Sequence, residues 1–257
     1  MKPASARESL AEAVLGFRAA ECDIQHRVNR IHRDVLAASQ YIKEPNYARI
    51  HPQDLQFLFT EYDRHFFAEQ CARSLANTRL RFRLSPRMTK TGGTTARYRT
   101  PAGEVFYEIT VASSMLFEGF GMNDREITVC GLACANRLEA LQRIFEHEMV
   151  HLIENLCWER SNCAAPRFQD IAHRHFLHRA HTHALITRRE RAAQSGIRVG
   201  ARVSFVFEGT PLMGRVNRLT KRATVLVEDP EGERFSDGRN YRRYYVPILQ
   251  LRSAGHE

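Results

Sequence analysis

Hydrophobic positions recur at helical spacing along the first part of the chain, alternately four and three residues apart. They are Leu10, Val14, Phe17, Ile24, Val28, Ile31 and Val35. Only Glu21 breaks the series, so the pattern predicts one long amphipathic helix. The stripe spans about three heptads, the lower limit for a coiled coil. This length favours packing of the helix on its own domain, and self-association of two chains is the alternative.

A second amphipathic helix is predicted at about 52–75, and Pro45 separates it from the first because proline cannot continue a helix. Residues 79–113 then change to alternating apolar and polar positions, with MTKTGG and PAG between the alternating segments. This period of two predicts a small antiparallel sheet. Its last segment, Ile109–Ser113, is a candidate edge strand that would hold an extended peptide. An ordinary internal strand would give the same pattern.

Helical spacing returns at about 135–158, and Pro166 suits the first turn of a further helix, PRFQDIAHRHF. From Gly196 onward the pattern is all strand. The predicted strands are VGARVSFVFEG, LMGRVNRL, RATVLVEDPEG, ERFSDG and YRRYYVPI. Short strands with Gly and Asp-Pro turns predict a separate five-stranded barrel. The fold class is therefore α+β, with helices and a small sheet followed by a small all-β barrel.

The composition excludes several classes of protein. Hydrophobic residues make up 43% of the 257 positions, no run of 18 apolar residues occurs, and the first residues are too polar for a signal peptide. We expect a cytoplasmic protein, associated with the nucleoid if the source is bacterial, with no membrane partner. The 6 cysteines contain no CxxC pair, which favours reduced thiols or metal ligands over a disulfide framework.

Positive charge is concentrated in the last part of the chain. Residues 1–157 contain 20 Lys+Arg and 19 Asp+Glu, a net charge of +1, whereas residues 158–257 contain 18 and 10, a net charge of +8. A localised positive field attracts phosphate backbones. A solvated, solubilising surface is the alternative explanation.

The segment His147-Glu148-Met149-Val150-His151 lies within the predicted helix at 135–158. Two histidines at positions i and i+4 project from one helical face, so both imidazoles reach a single divalent ion, for which Zn²⁺ is expected. Glu148 lies beside the first histidine, where its carboxylate reaches a water on that ion as general base. The pattern predicts a zinc hydrolase of the HExxH type.

A catalytic zinc also requires a third protein ligand and an open position. Glu154 follows His151 by about one turn on the same face, and Cys163 lies in the loop before the next helix. The remaining candidates are His173, His175, His178, His181 and His183. Glu154 is equally suited to orient a histidine without touching the metal.

Four segments together resemble the SprT-like metalloproteases. They are DLQFLFTEYDRHFF, LSPRMTKTGG with YEITVASSM, FEHEMVHLIENL and APRFQDIAHRHF, and they cover about residues 52–178. The resemblance implies a zincin-like domain and a zinc-dependent endopeptidase, with His147 and His151 as ligands and Glu148 as general base. It also implies a protein substrate, since members of this family cleave proteins crosslinked to DNA during DNA repair.

The chain departs from that family at the third ligand. The family places a histidine in a GHGxxF segment, and counting back from Phe168 puts Ala164 at that position. Ala164 cannot coordinate a metal, whereas Cys163, one residue earlier, offers a thiolate. We therefore expect Cys163 to replace the histidine. Without a third ligand the site would be inactive.

The C-terminal segment resembles an SH3-like or KOW-like barrel, on Val199-Gly200-Ala201-Arg202-Val203 and Gly214-Arg215-Val216. Near its end, arginines alternate with aromatic rings, a mixture that suits phosphate contacts and base stacking. The candidate DNA- or RNA-binding residues are Arg239, Arg242, Arg243, Tyr244 and Tyr245. Tyrosines packed inside the barrel would give the same sequence.

The sequence thus predicts an N-terminal helical extension at 1–45, a SprT-like zinc metalloprotease domain at 46–195 and a basic barrel at 196–257. The predicted function is a zinc metalloendopeptidase acting near nucleic acid. The alternative is a nucleic-acid-associated binding protein, connected with transcription or chromosome maintenance, whose zinc is structural or whose site is inactive.

Overall fold

A computed structural model describes residues 5–76, 78–121, 124–194, 196–220 and 222–254. The chain divides into two compact units, Met1–Leu185 and Ile186–Glu257. The division precedes the boundary predicted at residue 195, because Ala192 and Ile197 belong to the same core as Val203 and Phe205. Across these ranges, no helix has the length and apolar character needed to cross a membrane.

The N-terminal unit contains seven of the helices described by the structure. They are α1 (Ala6–Gly16), α2 (Glu21–Ala38), α3 (Pro52–Phe67), α4 (Gln70–Leu75), α5 (Ser113–Glu118), α6 (Arg137–Trp158) and α7 (Pro166–Phe176). Its strands are β1 (Arg79–Leu84), β2 (Gly93–Arg99), β3 (Val105–Val111), β4 (Ile127–Val129), β5 (Leu132–Cys134) and β6 (His183–Ala184).

The N-terminal stripe lies on two helices, so the prediction of one continuous helix is wrong. After Gly16 the backbone of Phe17 is extended, and the Arg18 guanidinium donates to the Leu15 and Phe17 carbonyls. Six of the stripe residues are buried, namely Leu10, Val14, Ile24, Val28, Ile31 and Val35. Phe17 stacks on His175 of α7 with ring centroids 4.3 Å apart. The stripe therefore packs on its own unit, which leaves no described apolar seam for self-association.

The segment predicted as one helix at 52–75 is also two helices. Ala68 and Glu69 adopt left-handed backbone conformations between α3 and α4. The Asp63 carboxylate accepts from the backbone N–H groups of Cys71 and Ala72 at 2.9 and 2.8 Å. This carboxylate thus satisfies the free amides at the start of α4.

The first sheet has the strand order β1-β3-β2 and is only partly antiparallel. Strand β2 is antiparallel to β3, as predicted, whereas β1 is parallel to β3. Strand β3 is hydrogen-bonded on both sides, so the edge-strand prediction for Ile109–Ser113 is wrong. The edge strand beside α6 is β2, where the Thr95 hydroxyl oxygen lies 2.9 Å from the Glu148 carbonyl oxygen.

The long helix α6 begins at the cap Asn136, whose side chain accepts from the Glu139 backbone N–H at 3.0 Å. A small sheet with the strand order β5-β4-β6 accompanies it, and sequence reasoning missed this sheet because its strands have only two or three residues. In it, Val129 lies opposite His183. Pairing of β4 with β6 therefore brings the histidine-rich segment after α7 beside His147, in the middle of α6.

The C-terminal unit contains α8 (Arg188–Gln194), β7 (Arg202–Phe207), β8 (Thr210–Leu219), β9 (Ala223–Arg234), β10 (Asn240–Val246), a short 3-10 helix (Ile248–Gln250) and β11 (Arg252–Ser253). The strands form one antiparallel sheet in the order β10-β9-β8-β7-β11. The predicted turn at Asp229-Pro230 is wrong, since β9 continues through it to Arg234. The fifth strand is β11, and ERFSDG forms no strand of its own.

Candidate metal centre

The HExxH residues lie on the face of α6 that lines a cleft of about 490 Å³. His147 is 4% exposed and His151 is half-buried. Their Nε2 atoms are 3.2 Å apart. Two nitrogens bound at about 2.0–2.1 Å to one tetrahedral zinc lie about 3.3 Å apart. The two imidazoles therefore have the spacing that a shared zinc ion requires.

Cys163 lies next to both histidines. One ligand atom each from His147, His151 and Cys163 fall within 4.8 Å of one another. A turn that begins at Asn162 holds the cysteine there. The Asn162 carbonyl accepts from the Ala165 N–H, and the Asn162 side chain accepts from the Ala164 N–H. The structure thus brings together the three residues that the sequence suggested as zinc ligands.

Glu154 is not part of this ligand group. Its carboxylate is fully buried and accepts from Arg167 Nε at 2.6 Å and from the Ser161 hydroxyl at 2.7 Å. The same hydroxyl is 2.7 Å from His151 Nδ1. The geometry matches the alternative that the sequence left open, in which Glu154 orients a histidine, here through Ser161.

Some of the histidines after α6 pack inside the N-terminal unit, and others line the cleft. His175 is buried beside Phe17 and donates from Nδ1 to the Ile171 carbonyl at 3.0 Å. His178 Nε2 is 2.8 Å from the Glu146 carboxylate, on another side of α6. His181 and His183 line the cleft, and His173 Nδ1 donates to the His178 carbonyl.

Glu148 lies deep in the cleft and is 2% exposed. The Thr95 hydroxyl lies 2.8 Å from Oε2 of this carboxylate. Burial raises the pKa of Glu148 to about 8, although the Thr95 hydrogen bond acts in the opposite direction. Gly93 makes room for the side chain, since a Cβ at this position would lie 2.7 Å from Glu148 Oε1. Strand β2 thus fixes the carboxylate next to the two histidines.

Burial keeps the two imidazoles in the neutral form that binds metals. Desolvation, together with the neighbouring His183 and His151, lowers the pKa of His147 to about 2. Desolvation also lowers the pKa of His151 to about 4, against an opposing effect of Glu154. Burial raises the pKa of the Cys163 thiol, so a bound cation is what would stabilise its thiolate.

Sequence reasoning missed four residues around this centre. Thr95 and Gly93 belong to the TGGTT segment, whose paired glycines signalled only a turn. Ser161 connects His151 to Glu154, but a lone serine in a loop gives no sequence signal. Cys130 is also buried beside the His147 ring, with its Sγ 3.7 Å from His147 Nδ1.

The basic residues predicted to contact nucleic acid form ion pairs in the C-terminal sheet. Arg239 pairs with Glu228, Arg242 with Asp229 at 3.0 Å, and Arg243 with Glu233 at 2.6 Å. These carboxylates compete with phosphate for the same guanidinium groups.

The two tyrosines differ from each other. Tyr244 packs against Phe205 and Phe207, with centroid distances of 5.5 and 5.1 Å, which matches the alternative of a tyrosine inside the fold. Tyr245 is 64% exposed. Only the second ring is therefore placed to stack on a base.

A different pair of arginines has no acidic partner among the residues that the structure describes. Arg202 on β7 lies directly opposite Arg215 on β8, and both are exposed. Within the described ranges neither forms an ion pair. Directly opposed like charges destabilise a sheet, so this pair is a better candidate for an anion contact than the ion-paired arginines of β10.

Comparisons of the chain with protein-family models, with curated proteins and with solved structures found no match. The geometry of this centre and the residues that line its cleft are therefore the basis for a function.

Proposed function

We propose that the protein is a zinc-dependent metalloendopeptidase of the SprT-like class. The observation that carries the proposal is the convergence of His147 Nε2, His151 Nε2 and Cys163 beside the buried carboxylate of Glu148. Two imidazoles and a thiolate are a donor set that zinc prefers, and three protein ligands leave a position open for chemistry. Cys163 thereby takes the place of the family's third histidine.

Bound zinc would supply Lewis acidity, which polarises a carbonyl and acidifies a water. The chain's own part in hydrolysis is assigned to Glu148. The charge of a bound cation would favour the ionised form of the Glu148 carboxylate despite burial. In that form the carboxylate would accept a proton from the attacking water and then give that proton to the leaving amine. Thr95 orients the carboxylate from β2, while Ser161 and Glu154 hold His151 in the tautomer whose Nε2 is free to bind metal.

The substrate in this proposal is an extended protein segment. Strand β2 pairs only with β3 among the described strands, and Gly93, Thr94 and Thr95 line the cleft beside Glu148. A peptide that adds to this edge is held through its backbone, so many sequences are accepted. This assignment moves the peptide-binding edge from Ile109–Ser113 to β2.

We place the action of this peptidase on DNA-bound or DNA-crosslinked proteins. The net charge of +8 after residue 157 supports the nucleic-acid part of the proposal. The opposed Arg202 and Arg215 offer two guanidinium groups that lack acidic partners in the described sheet. In this revised form, the contact involves β7 and β8 together with Tyr245.

The test is cleavage of a protein crosslinked to DNA, with and without additional free DNA. Glu148→Gln should reduce cleavage about 10²- to 10⁴-fold while zinc remains bound, because the amide cannot accept the proton. Glu159→Gln is the matched control, since Glu159 is exposed beyond the end of α6. Zinc binding without cleavage by the wild-type chain would instead favour a nucleic-acid-associated binding protein with a structural metal.

A further inference from the structure

Cys130 occupies an unusual position for its residue type. It forms with Gly131 the two-residue turn between β4 and β5, and both residues have positive φ, 53° and 74°. A hairpin turn of this kind prefers Asn, Asp or Gly at such positions. Cys130 is nevertheless fully buried. A strained, buried cysteine in a turn calls for a role for its sulfur.

The sulfur lies between two imidazoles. Cys130 Sγ is 3.7 Å from His147 Nδ1 and 3.5 Å from His183 Nε2, and the three ligand atoms lie within 4.8 Å of one another. A sulfur and a nitrogen bound to one zinc at about 2.3 and 2.0–2.1 Å lie about 3.6 Å apart in tetrahedral geometry. Both measured distances agree with this spacing.

The backbone holds this triangle in place. The Cys130 N–H donates to the Thr182 carbonyl at 2.9 Å, and the Cys130 carbonyl accepts from Arg179 and Ala180. Gly92 leaves the space that the His183 ring fills, because a Cβ at Gly92 would collide with His183 Nδ1. The cluster is therefore built by contacts from two other segments.

We propose that Cys130, His147 Nδ1 and His183 Nε2 form a second metal position, on the opposite side of the His147 ring from the HExxH position. One thiolate and two imidazoles select soft or borderline ions such as Zn²⁺ and Cu⁺ over Mg²⁺ or Ca²⁺. Cys130 and His147 are buried, while the half-buried His183 lines the cleft and connects this position to it.

Sharing His147 makes the two positions mutually exclusive. A neutral imidazole has one nitrogen with a free lone pair, and the other carries the proton. When Nδ1 binds a metal, Nε2 carries the proton and cannot also bind at the HExxH position. An ion beside Cys130 therefore displaces the ion beside His151, which gives the centre a metal-dependent off state.

The test uses Co²⁺, whose thiolate complexes have a near-ultraviolet charge-transfer absorption band. The full-length His151→Ala/Cys163→Ala variant lacks two ligands of the HExxH position and should still bind one Co²⁺ with this band. Adding either Cys130→Ser or His183→Gln should abolish the band and weaken Co²⁺ binding by more than about 100-fold, beyond the 10- to 100-fold cost of losing a residue that only orients a ligand.

Cys134→Ser is the matched control, because Cys134 is buried in the same hairpin and lies outside the ligand group. It should leave the band unchanged. Circular dichroism identifies variants that do not fold, and two independent substitutions keep the test decisive. A band that survives without Cys130, or no Co²⁺ binding in the starting variant, would overturn the proposal.

Two Co²⁺ ions bound at once to the wild-type chain would overturn the mutual exclusion. The proposed peptidase is judged separately, by the Glu148→Gln comparison in the chain with all HExxH ligands. Failure of the second position therefore leaves that result intact.

Discussion

The two units use their ionisable residues in opposite ways. On α6, Glu148, His147 and His151 are largely removed from solvent, and desolvation raises the pKa of Glu148 and lowers the pKa values of both histidines. In the C-terminal sheet, pairs such as Arg239 and Glu228 are more than 60% exposed. Groups with perturbed pKa values concentrate at functional sites, whereas exposed ion pairs contribute only about 0–1 kcal/mol to stability. This contrast assigns the chemistry to the N-terminal unit and the surface charge to the C-terminal unit.

Burial alone does not identify the chemistry, as Glu146 shows. This carboxylate is fully buried and interacts with Tyr62, Arg143 and His178 at 2.7–3.1 Å. Its neighbours occupy both oxygens. Glu148 has a hydrogen bond from Thr95 and otherwise faces the cleft. A buried carboxylate with remaining acceptor capacity is available for proton transfer, while a saturated one stabilises the fold.

After the loss of cleavage in Glu148→Gln, the largest effect expected in the N-terminal unit is loss of zinc from Cys163→Ala. With two imidazoles left at the HExxH position, we expect zinc affinity to fall by more than about 100-fold, because a ligand contributes more than a residue that orients one. Cys157→Ala is the control, since Cys157 belongs to neither ligand group. Metal content after dialysis measures the effect. An unchanged stoichiometry would remove Cys163 from the site and point to His181, which lines the same cleft.

Gly93→Ala tests whether β2 positions the carboxylate. The added Cβ would lie 2.7 Å from Glu148 Oε1 and 2.8 Å from its Cγ, so the side chain must move. A displacement of about 1 Å costs about 10²-fold in rate, and zinc should stay bound. Gly16→Ala is the control, since its Cβ would meet nothing within 4 Å. Full peptidase activity of Gly93→Ala would show that Glu148 does not act from this position.

Patterns of helical spacing and a local motif made part of this centre predictable. His147, Glu148 and His151 share one helix, so spacing alone places them together. Cys163 lies in the short loop between the end of α6 and Pro166, the proline that begins α7, which limits where it can lie. The helix α6 itself differs from the predicted bounds by two residues at its start.

The rest of the centre depends on long-range pairing that no local pattern contains. Cys130 and His183 meet because β4 pairs with β6, two strands of three and two residues. Strand β3 is central only because β1 joins it in parallel, and sequence alternation does not distinguish parallel from antiparallel neighbours. The ion pairs of Arg239, Arg242 and Arg243 likewise follow from the register of β9 and β10.

An effect of intermediate size is expected on the pH dependence of stability, from a buried histidine of the N-terminal unit that lies outside the metal centre. His175 is fully buried between Phe17 and Phe67, and desolvation lowers its pKa to about 4. The stability that the neutral His175 ring contributes is complete above pH about 6.5 and is lost as the pH falls towards about 4. On acidification, His175 is protonated in the unfolded chain at a higher pH than in the folded chain. At pH 5 this difference between the folded and unfolded pKa values lowers the free energy of unfolding by about 2 kcal/mol.

We therefore expect His175→Phe to lose less stability than the wild type between pH 7 and pH 5, measured by denaturant unfolding of the metal-free chain. His26→Phe should retain the wild-type pH dependence, because His26 is exposed on α2. Parallel pH profiles for wild type and His175→Phe would show that the buried ring does not resist protonation.

The smallest expected effect concerns the C-terminal unit, whose surface charge is expected to affect nucleic-acid binding and not the metal centre. Replacing Arg202 and Arg215 by Gln should flatten the dependence of single-stranded DNA affinity on salt by about 0.7 in log–log slope for each lost phosphate contact. Arg239→Gln should change the slope less, because Glu228 already neutralises its guanidinium group. Zinc content should stay at the wild-type value in each of these variants. If Arg239→Gln flattens the slope as much as the other substitutions, the contact surface lies along β10, as the sequence first indicated, and the acidic partners yield to phosphate on binding.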